Sequence, residues 1–454
     1  MLKIYETRSR EVQEVVGHNG ELSIYCCGPT VYRDAHIGNL RTFLLADLIA
    51  RAATVSGLKV TMVQNITDVG HMANDLDDSD SEDKILSQSK AEKIDPFEIA
   101  RKYEARFHHD LKELNIHPAS AYPRASESID LMIDTIQKLI ENKHAYVGTD
   151  GNVYFDAQSF PSYGAISGNR LDALKPGYRH DENEDSGKKF HADWALWKVA
   201  KDRTQMVWQT PWGSGFPGWH IECTAMSIKF LGEKIDLHVG GIDLRFPHHE
   251  NERAQSNSLT STEVVTHWIH GEHLLFEGRK MSKSAGNVVL LKDIVERGID
   301  PLAARFALLE NRYRSQMDLS WDSLFASHET LKRWRKLLSA GGDSNLLEVD
   351  SEFIEAIHKD LDTPRALQRL RVIEKDSEIS LEGKRAIFIY ADQILGLDLT
   401  RVEVAVELTS EQQDLLEKRA TARADKNYGE SDRLRDLLQA SGLTVKDGAT
   451  GQTW

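Results

Sequence analysis

Residues 22–27 read Leu-Ser-Ile-Tyr-Cys-Cys, a short apolar stretch of strand length, and Gly28-Pro29 breaks it. Over 40–55 the apolar residues Leu44, Leu45, Leu48, Ile49 and Ala52 recur at helical spacing. Residues 59–66 form a second apolar run of strand length. This strand–helix–strand unit predicts the start of a doubly wound parallel sheet. Helical patterns follow over 99–114 and 126–143. The stretch 147–201 breaks into short strands punctuated by Gly and Pro, which reads as an insertion into the sheet domain. Strand-like segments resume at 235–239 and 264–268. Beyond Pro301 the spacing is helical, with no strand signal until 443–445.

The fold class expected is therefore α/β. A Rossmann-like, doubly wound parallel-sheet domain carries an inserted domain, and an all-α C-terminal region follows. The expected divisions are 1–115 and 206–300 for the two halves of the sheet domain and 116–205 for the insertion. A helical region is expected over 301–400 and a C-terminal module over 401–454.

Composition narrows this picture. The 454 residues exceed one ordinary core, so two to four units are expected. No apolar run approaches the length of a membrane span, and residues 1–5 do not open a secretion signal, so a soluble cytoplasmic protein is expected. Three cysteines, Cys26, Cys27 and Cys223, are not a disulfide framework. A net charge of −15 argues against a protein that coats nucleic acid but leaves room for a local basic surface. Arg419, Arg423 and Lys426 would share one face of a helix expected over 416–438, a face able to follow phosphates.

Three constellations carry candidate chemistry. Between the first strand and helix lies Thr30-Val31-Tyr32-Arg33-Asp34-Ala35-His36-Ile37-Gly38-Asn39. A helix N-terminus there suits phosphate, Gly38 permits close approach, and His36 and Asn39 can donate hydrogen bonds. Alone, it is also an ordinary loop with a capping Asn. The second is Lys280-Met281-Ser282-Lys283-Ser284, whose two lysines could close over a triphosphate as pyrophosphate forms. The third joins Cys27, Cys223 in 218–223, and His248 with Glu252 in 246–252. His248 and Glu252 are four apart and share a helix face, giving a Cys₂-His-Glu set that suits zinc. Each residue could equally be structural, and His249 competes as the ligand.

Together these strings resemble class I aminoacyl-tRNA synthetases, and closely the cysteine-specific family. Residues 36–39 look like that class's HIGH motif, and 280–284 is its KMSKS loop unchanged. Residues 65–68, 162–164, 193–198, 217–223, 246–252, 362–364 and 451–454 fit family blocks, so the resemblance spans nearly the whole chain. It implies that Cys27, Cys223, His248 and Glu252 hold one Zn²⁺ per chain. Trp219 would pack on bound cysteine, with Thr30, Thr67 and His238 lining its pocket. It makes His36, Asn39, Lys280 and Lys283 catalytic, and His36, Gly38, Asn39, Lys280, Met281, Ser282, Lys283 and Ser284 the binding site for ATP, which enters with Mg²⁺. The implied partners are ATP, L-cysteine and the cysteine tRNA, with no membrane and a monomeric chain.

Two departures stand out. Asn39 occupies the last position of HIGH, where it can donate a hydrogen bond but carry no charge. Residues 69–83 form an acid-rich insertion where the family usually runs from Asn-Ile-Thr-Asp into two acidic residues and Lys-Ile; it reads as a passive loop near the mouth of the site. Competing readings are the related ligase that joins cysteine to an amino sugar, a non-catalytic tRNA-binding paralogue, and a duplicate synthetase. The helical stretch after Pro301, with its Arg and Lys residues, favours tRNA over the first, and the intact KMSKS and zinc strings oppose the second.

Overall fold

The computed structural model describes all residues except 73–82, 175–186, 282–285, 342–345, 403–407, 444, 449–450 and 454. The chain divides into two compact units, Met1–Thr400 and Arg401–Trp454.

The first unit is built on a four-stranded, fully parallel sheet. Its strands are β1 (Glu21–Cys26), β2 (Lys59–Gln64), β3 (Ile235–Gly241) and β4 (Val265–Gly271), in spatial order β4-β3-β1-β2. Leu22, Ile24, Leu237, Val239 and Ile269 are fully buried, as expected for a parallel sheet covered on both faces. Helix α1 (Ile37–Val55) makes the crossover from β1 to β2 and buries Leu40, Leu44, Leu48 and Ile49 in the main core. The order reverses between β1 and β3, so the crevice beyond their C-terminal ends is where a ligand is expected.

The insertion is an antiparallel sheet of five strands, ordered Ala145–Val147, Val153–Phe155, Trp194–Val199, Gly213–Pro217, Trp208–Thr210. Its apolar core contains Phe155, Trp194 and Trp197 together with Ile221, Ala225 and Ala254. Those last three lie on α2 (Trp219–Leu231) and α3 (His248–Thr260). The chain passes from the last insertion strand straight into α2, so the insertion fixes the two helices that carry chemistry.

Residues 301–400 are helical but pack as part of this unit. Arg305 is fully buried; its guanidinium donates to Asp47 Oδ2 of α1 (2.6 Å), Leu395 O (2.6 Å) and Leu114 O (3.0 Å). Met317–Leu319 is a strand that the spacing did not predict, paired in parallel with Leu274–Phe276. Three residues are too few to display a period.

The second unit holds α4 (Ser410–Ala424), α5 (Tyr428–Ala440) and a hairpin of Lys446–Gly448 with Gly451–Thr453. The expected continuous helix over 416–438 is thus two helices. Lys426 takes a left-handed φ of 58°, and the Asn427 side chain accepts the Glu430 N–H to start α5. Leu443 and Val445, expected in a strand, are buried ahead of the hairpin instead. Arg419 does not share an exposed basic face: it is fully buried and donates to both Asp447 oxygens (2.8 Å each) and to Gln452 Oε1 (2.9 Å).

Candidate active site

Cys27 follows the last residue of β1 at the C-terminal edge of the sheet. Gly28 comes next because the backbone leaves no room: a Cβ there would sit 1.6 Å from Asn65 O. The α2 helix brings Cys223 alongside, and the first two turns of α3 bring His248 and Glu252. All four are buried. Cys27 Sγ lies 3.9 Å from Cys223 Sγ and 3.5 Å from Glu252 Oε1, and His248 Nε2 lies 3.0 Å from the same Glu252 oxygen. One ligand atom from each falls within 4.8 Å of all the others. Their chemistry fits a divalent cation. Burial pushes the Cys27 thiol well above its ordinary range, with Cys223 and Glu252 adding to the effect. At Cys223 burial acts the same way, but hydrogen bonds from Cys27 and His248 outweigh it and hold the thiol below its ordinary range. Unaided, the pocket favours only one thiolate; a dication would accommodate two thiolates and a carboxylate together.

His249, the competing ligand, joins a second set. Cys27, His238, His249 and Glu252 also lie within 4.8 Å, with His238 Nε2 and His249 Nε2 each 3.3 Å from Cys27 Sγ. The two sets share Cys27 and Glu252. Hydrogen bonds orient the histidines from behind: His220 Nδ1 pairs with His248 Nδ1 (2.8 Å), and His249 Nδ1 with His270 Nε2 (2.8 Å).

Beside the cluster opens a cleft of about 250 Å³, lined by Cys27, Thr30, Tyr32, Asn39, Trp219 and Asp243 among others. Of the expected amino-acid-binding residues, Thr30 and Trp219 are on this wall. Thr67 and His238 are buried behind it. Thr67 donates to Glu222 Oε2 (3.0 Å), and His238 stacks on Trp268 with centroids 4.6 Å apart. The Trp219 indole packs on His248 at 4.1 Å. The cleft therefore runs from the Cys₂-His-Glu cluster to the start of α1.

At that start, His36 is the N-cap of α1. Its Nδ1 accepts the Asn39 N–H (3.2 Å), and Asn39 Oδ1 accepts the His36 N–H (3.3 Å), a reciprocal capping box. Burial, then the nearby Arg33, lowers the His36 pKa to about 4, so the ring is neutral at pH 7. With Nδ1 accepting, the ring proton is on Nε2, which remains a donor. Gly38 lets the second motif pack closely: a Cβ there would lie 2.8 Å from Met281 Cε and 3.0 Å from His36 Nδ1. The two nucleotide motifs are thus in contact. Ile37 N–H donates to Val289 O (3.0 Å), tying the flank of the second motif to the first, and Asn287 Nδ2 donates to Lys280 O (3.1 Å) across the second motif itself. Lys280 is exposed and Met281 buried, whereas Ser282, Lys283 and Ser284 lie outside the described residues.

Sequence reasoning missed His71, which reaches the cleft from the insertion, and the supporting His220 and His270. The histidine-rich run around 248 was a usable signal for buried imidazole pairs; nothing in the spacing marked His71.

Residues 13–329 match the family described as the tRNA synthetases class I (C) catalytic domain, and residues 405–454 the cysteinyl-tRNA ligase anticodon binding domain. A cysteine–tRNA ligase of Thermus thermophilus is 41% identical over 487 aligned positions, covering 100% of this chain and 99% of its own. One of Treponema denticola is 37% identical, again covering 100% and 99%. Among solved structures, Mycobacterium tuberculosis methionyl-tRNA synthetase in complex with methionyl-adenylate superposes with a TM-score of 0.55 at 14% identity, over 83% of this chain and 90% of that one. An Agrobacterium radiobacter LeuRS in a ternary complex with tRNA and LeuAMS gives 0.58 at 10%, over 82% of each. These two share the fold.

Proposed function

The chain belongs to the cysteine–tRNA ligase family of class I aminoacyl-tRNA synthetases, and on that premise we propose how its own residues carry the reaction. The reaction activates L-cysteine with ATP and transfers it to tRNA. In the first step a cysteine carboxylate oxygen attacks the α-phosphorus; the bond to the β-phosphate breaks and pyrophosphate leaves with that electron pair. In the second, a terminal ribose hydroxyl of tRNA attacks the adenylate carbonyl and AMP leaves.

We assign Cys27, Cys223, His248 and Glu252 as holders of one Zn²⁺, supported by their shared 4.8 Å neighbourhood. This set is preferred to the one with His249 because it contains both thiols, and soft sulfur ligands suit zinc. Zinc in that place supplies a ligand position for the substrate sulfur as thiolate. That matters because a pocket selecting by shape alone separates near-isosteres only about 10- to 200-fold, and serine differs from cysteine by one atom. Thr30 and Trp219 would wall the amino-acid site, with Thr67 and His238 completing the cysteine pocket; His238 Nε2 is 3.3 Å from Cys27 Sγ. His36 Nε2–H, Gly38 and Asn39 would receive the phosphates at the N-terminus of α1. Lys280 and Lys283, with Met281, Ser282 and Ser284, would close on the triphosphate and oppose charge developing on pyrophosphate. Mg²⁺ would accompany ATP. Residues 1–115 and 206–300 would act as the two halves of the catalytic domain, 116–205 as the connective insertion, 301–400 as the stem-contact region and 401–454 as the anticodon module.

The observation that carries this assignment is the single cleft joining the Cys₂-His-Glu cluster to the α1 N-terminus. The match at 405–454 favours tRNA over an amino sugar as acceptor. Among the described residues no helix is long and apolar enough to cross a membrane. We place the enzyme in the cytoplasm as a monomer. ATP–pyrophosphate exchange dependent on cysteine but not serine, followed by charging of the cysteine tRNA, tests the reading. Exchange without charging would return the amino-sugar ligase, and no exchange would return a non-catalytic paralogue.

A further inference from the structure

We propose that His71 is a cysteine-positioning residue: it fixes the plane of the Trp219 indole and the direction of the Thr30 hydroxyl at the amino-acid end of the cleft. This rests on the reading of that end as the cysteine site.

His71 belongs to the stretch in which the chain departs from the usual family block, yet its place is built. The Gly70 N–H donates to Asp83 Oδ2 (3.1 Å), the Lys84 N–H donates to His71 O (3.0 Å), and Met72 pairs with Asp83 as an antiparallel bridge. Asp83 in turn caps the helix Lys84–Glu92 through the N–H groups of Ile85 and Leu86, and takes an ion pair from Arg203 (3.1 Å). The backbone of residues 70–72 is thereby anchored to a helix start. The His71 side chain is 7% exposed and contributes to the cleft wall.

Contacts with Trp219, Lys84 and Thr30 hold its ring. It lies on Trp219 with centroids 4.2 Å apart and planes 13° from parallel. Nε2 is 2.6 Å from Lys84 Nζ, and Nδ1 is hydrogen-bonded to Thr30 Oγ1. An ammonium is a donor only, so Nε2 accepts and the ring proton resides on Nδ1, which donates to Thr30 Oγ1. The Thr30 hydroxyl, having accepted there, directs its own hydrogen elsewhere, and Thr30 lines the cleft. The indole is in ring contact with both His71 and His248, the latter at 4.1 Å. Loss of the ring would free Trp219 to rotate and leave the Thr30 hydrogen unassigned. Both changes weaken the hold on cysteine before any bond is made, so they belong in binding rather than in the phosphoryl step.

The test is steady-state ATP–pyrophosphate exchange by the full chain, with cysteine and ATP varied separately and zinc measured on each preparation. His71→Ala is expected to raise the KM for cysteine roughly tenfold or more, from one stacked pair and one hydrogen bond lost. The kcat, the KM for ATP and the zinc content should stay near wild type. His71→Phe keeps a ring against Trp219 and His71→Asn keeps a donor near Thr30; each should recover part of the loss. These two also stand in if His71→Ala does not fold. Wild-type KM for cysteine in every variant would overturn the proposal, as would parallel losses in cysteine KM, ATP KM and zinc content. If the wild-type chain does not activate cysteine at all, it is the reading of the cleft that fails.

Discussion

Two duties are proposed for His36, and they can be separated. As N-cap, its Nδ1 satisfies the Asn39 N–H; as a neutral imidazole, its Nε2–H is free to meet a phosphate oxygen. Asparagine is among the best N-cap residues, and its Oδ1 stands where Nδ1 was, but it has nothing at the position of Nε2. His36→Asn should therefore change stability by only a few tenths of a kcal/mol, whereas His36→Ala should cost about 1 kcal/mol. Both lose the phosphate donor. Removing one preorganised donor of this kind costs ~2.7–4 kcal/mol, about 10²–10³ in rate. The expected result is a pair of enzymes with distinct Tm values and equally slow cysteine-dependent exchange. Because the ring is neutral well below pH 7, no inflection from His36 should appear between about pH 6 and 8. A His36→Asn enzyme exchanging within threefold of wild type would refute the phosphate role and leave the residue a helix cap alone.

Arg419→Met should unravel the hairpin of the second unit. It removes three hydrogen bonds from a buried guanidinium, a loss of about 2 kcal/mol once rehydration of the half-exposed Asp447 is allowed for. Exchange should persist while charging falls, and hydrogen exchange in 410–453 should rise. A folded variant whose only change is a tRNA salt slope reduced by about one would return Arg419 to phosphate binding. Acid should destabilise the first unit through its buried neutral imidazoles. Burial, then Arg245 and His238, brings His270 to about 3 from 6.5, and His36 falls to about 4. The unfolded chain then binds more protons, so stability is full above pH 6.5 and is lost as pH falls below it. Denaturant melts at pH 6.5 and 5 should show the slope, and His270→Gln should flatten it; an unchanged slope would count against the buried neutral ring.

The parallel sheet and α1 were legible because local periodicity marks them, and the strings around Cys27, His36, Cys223, His248 and Lys280 stood out by residue type and by their likeness to family blocks. Cys27 follows the last residue of β1, and His248 and Glu252 are one turn apart on α3; spacing paired those two, while the resemblance joined Cys27 and Cys223 to them. What was not legible depends on contacts distant in sequence. Arg419 looked like a surface cation because its partners, Asp447 and Gln452, arrive 28 and 33 residues later on a short hairpin. The break between α4 and α5 has neither Pro nor Gly; Lys426 takes the left-handed turn and Asn427 restarts the helix. His71 was obscured by the acid-rich residues that follow it, which made the whole insertion look passive. Its stacking partner, Trp219, lies on the far side of the inserted sheet in sequence. The choice between His248 and His249 also stayed open, since neighbouring residues on one helix turn both face Cys27 or Glu252.

We propose that the buried Cys27–Cys223–His248–Glu252 cluster holds zinc and that the substrate thiolate joins it. X-ray absorption at the zinc edge, on protein of known metal content with and without cysteine, reads this directly. One zinc per chain is expected, with two sulfur ligands in the free enzyme at about 2.3 Å and three when cysteine is bound, while serine leaves the count at two. A Cys223→Ser enzyme should begin one sulfur lower. Zinc absent from the purified chain, or a sulfur count that cysteine does not raise, would contradict the account.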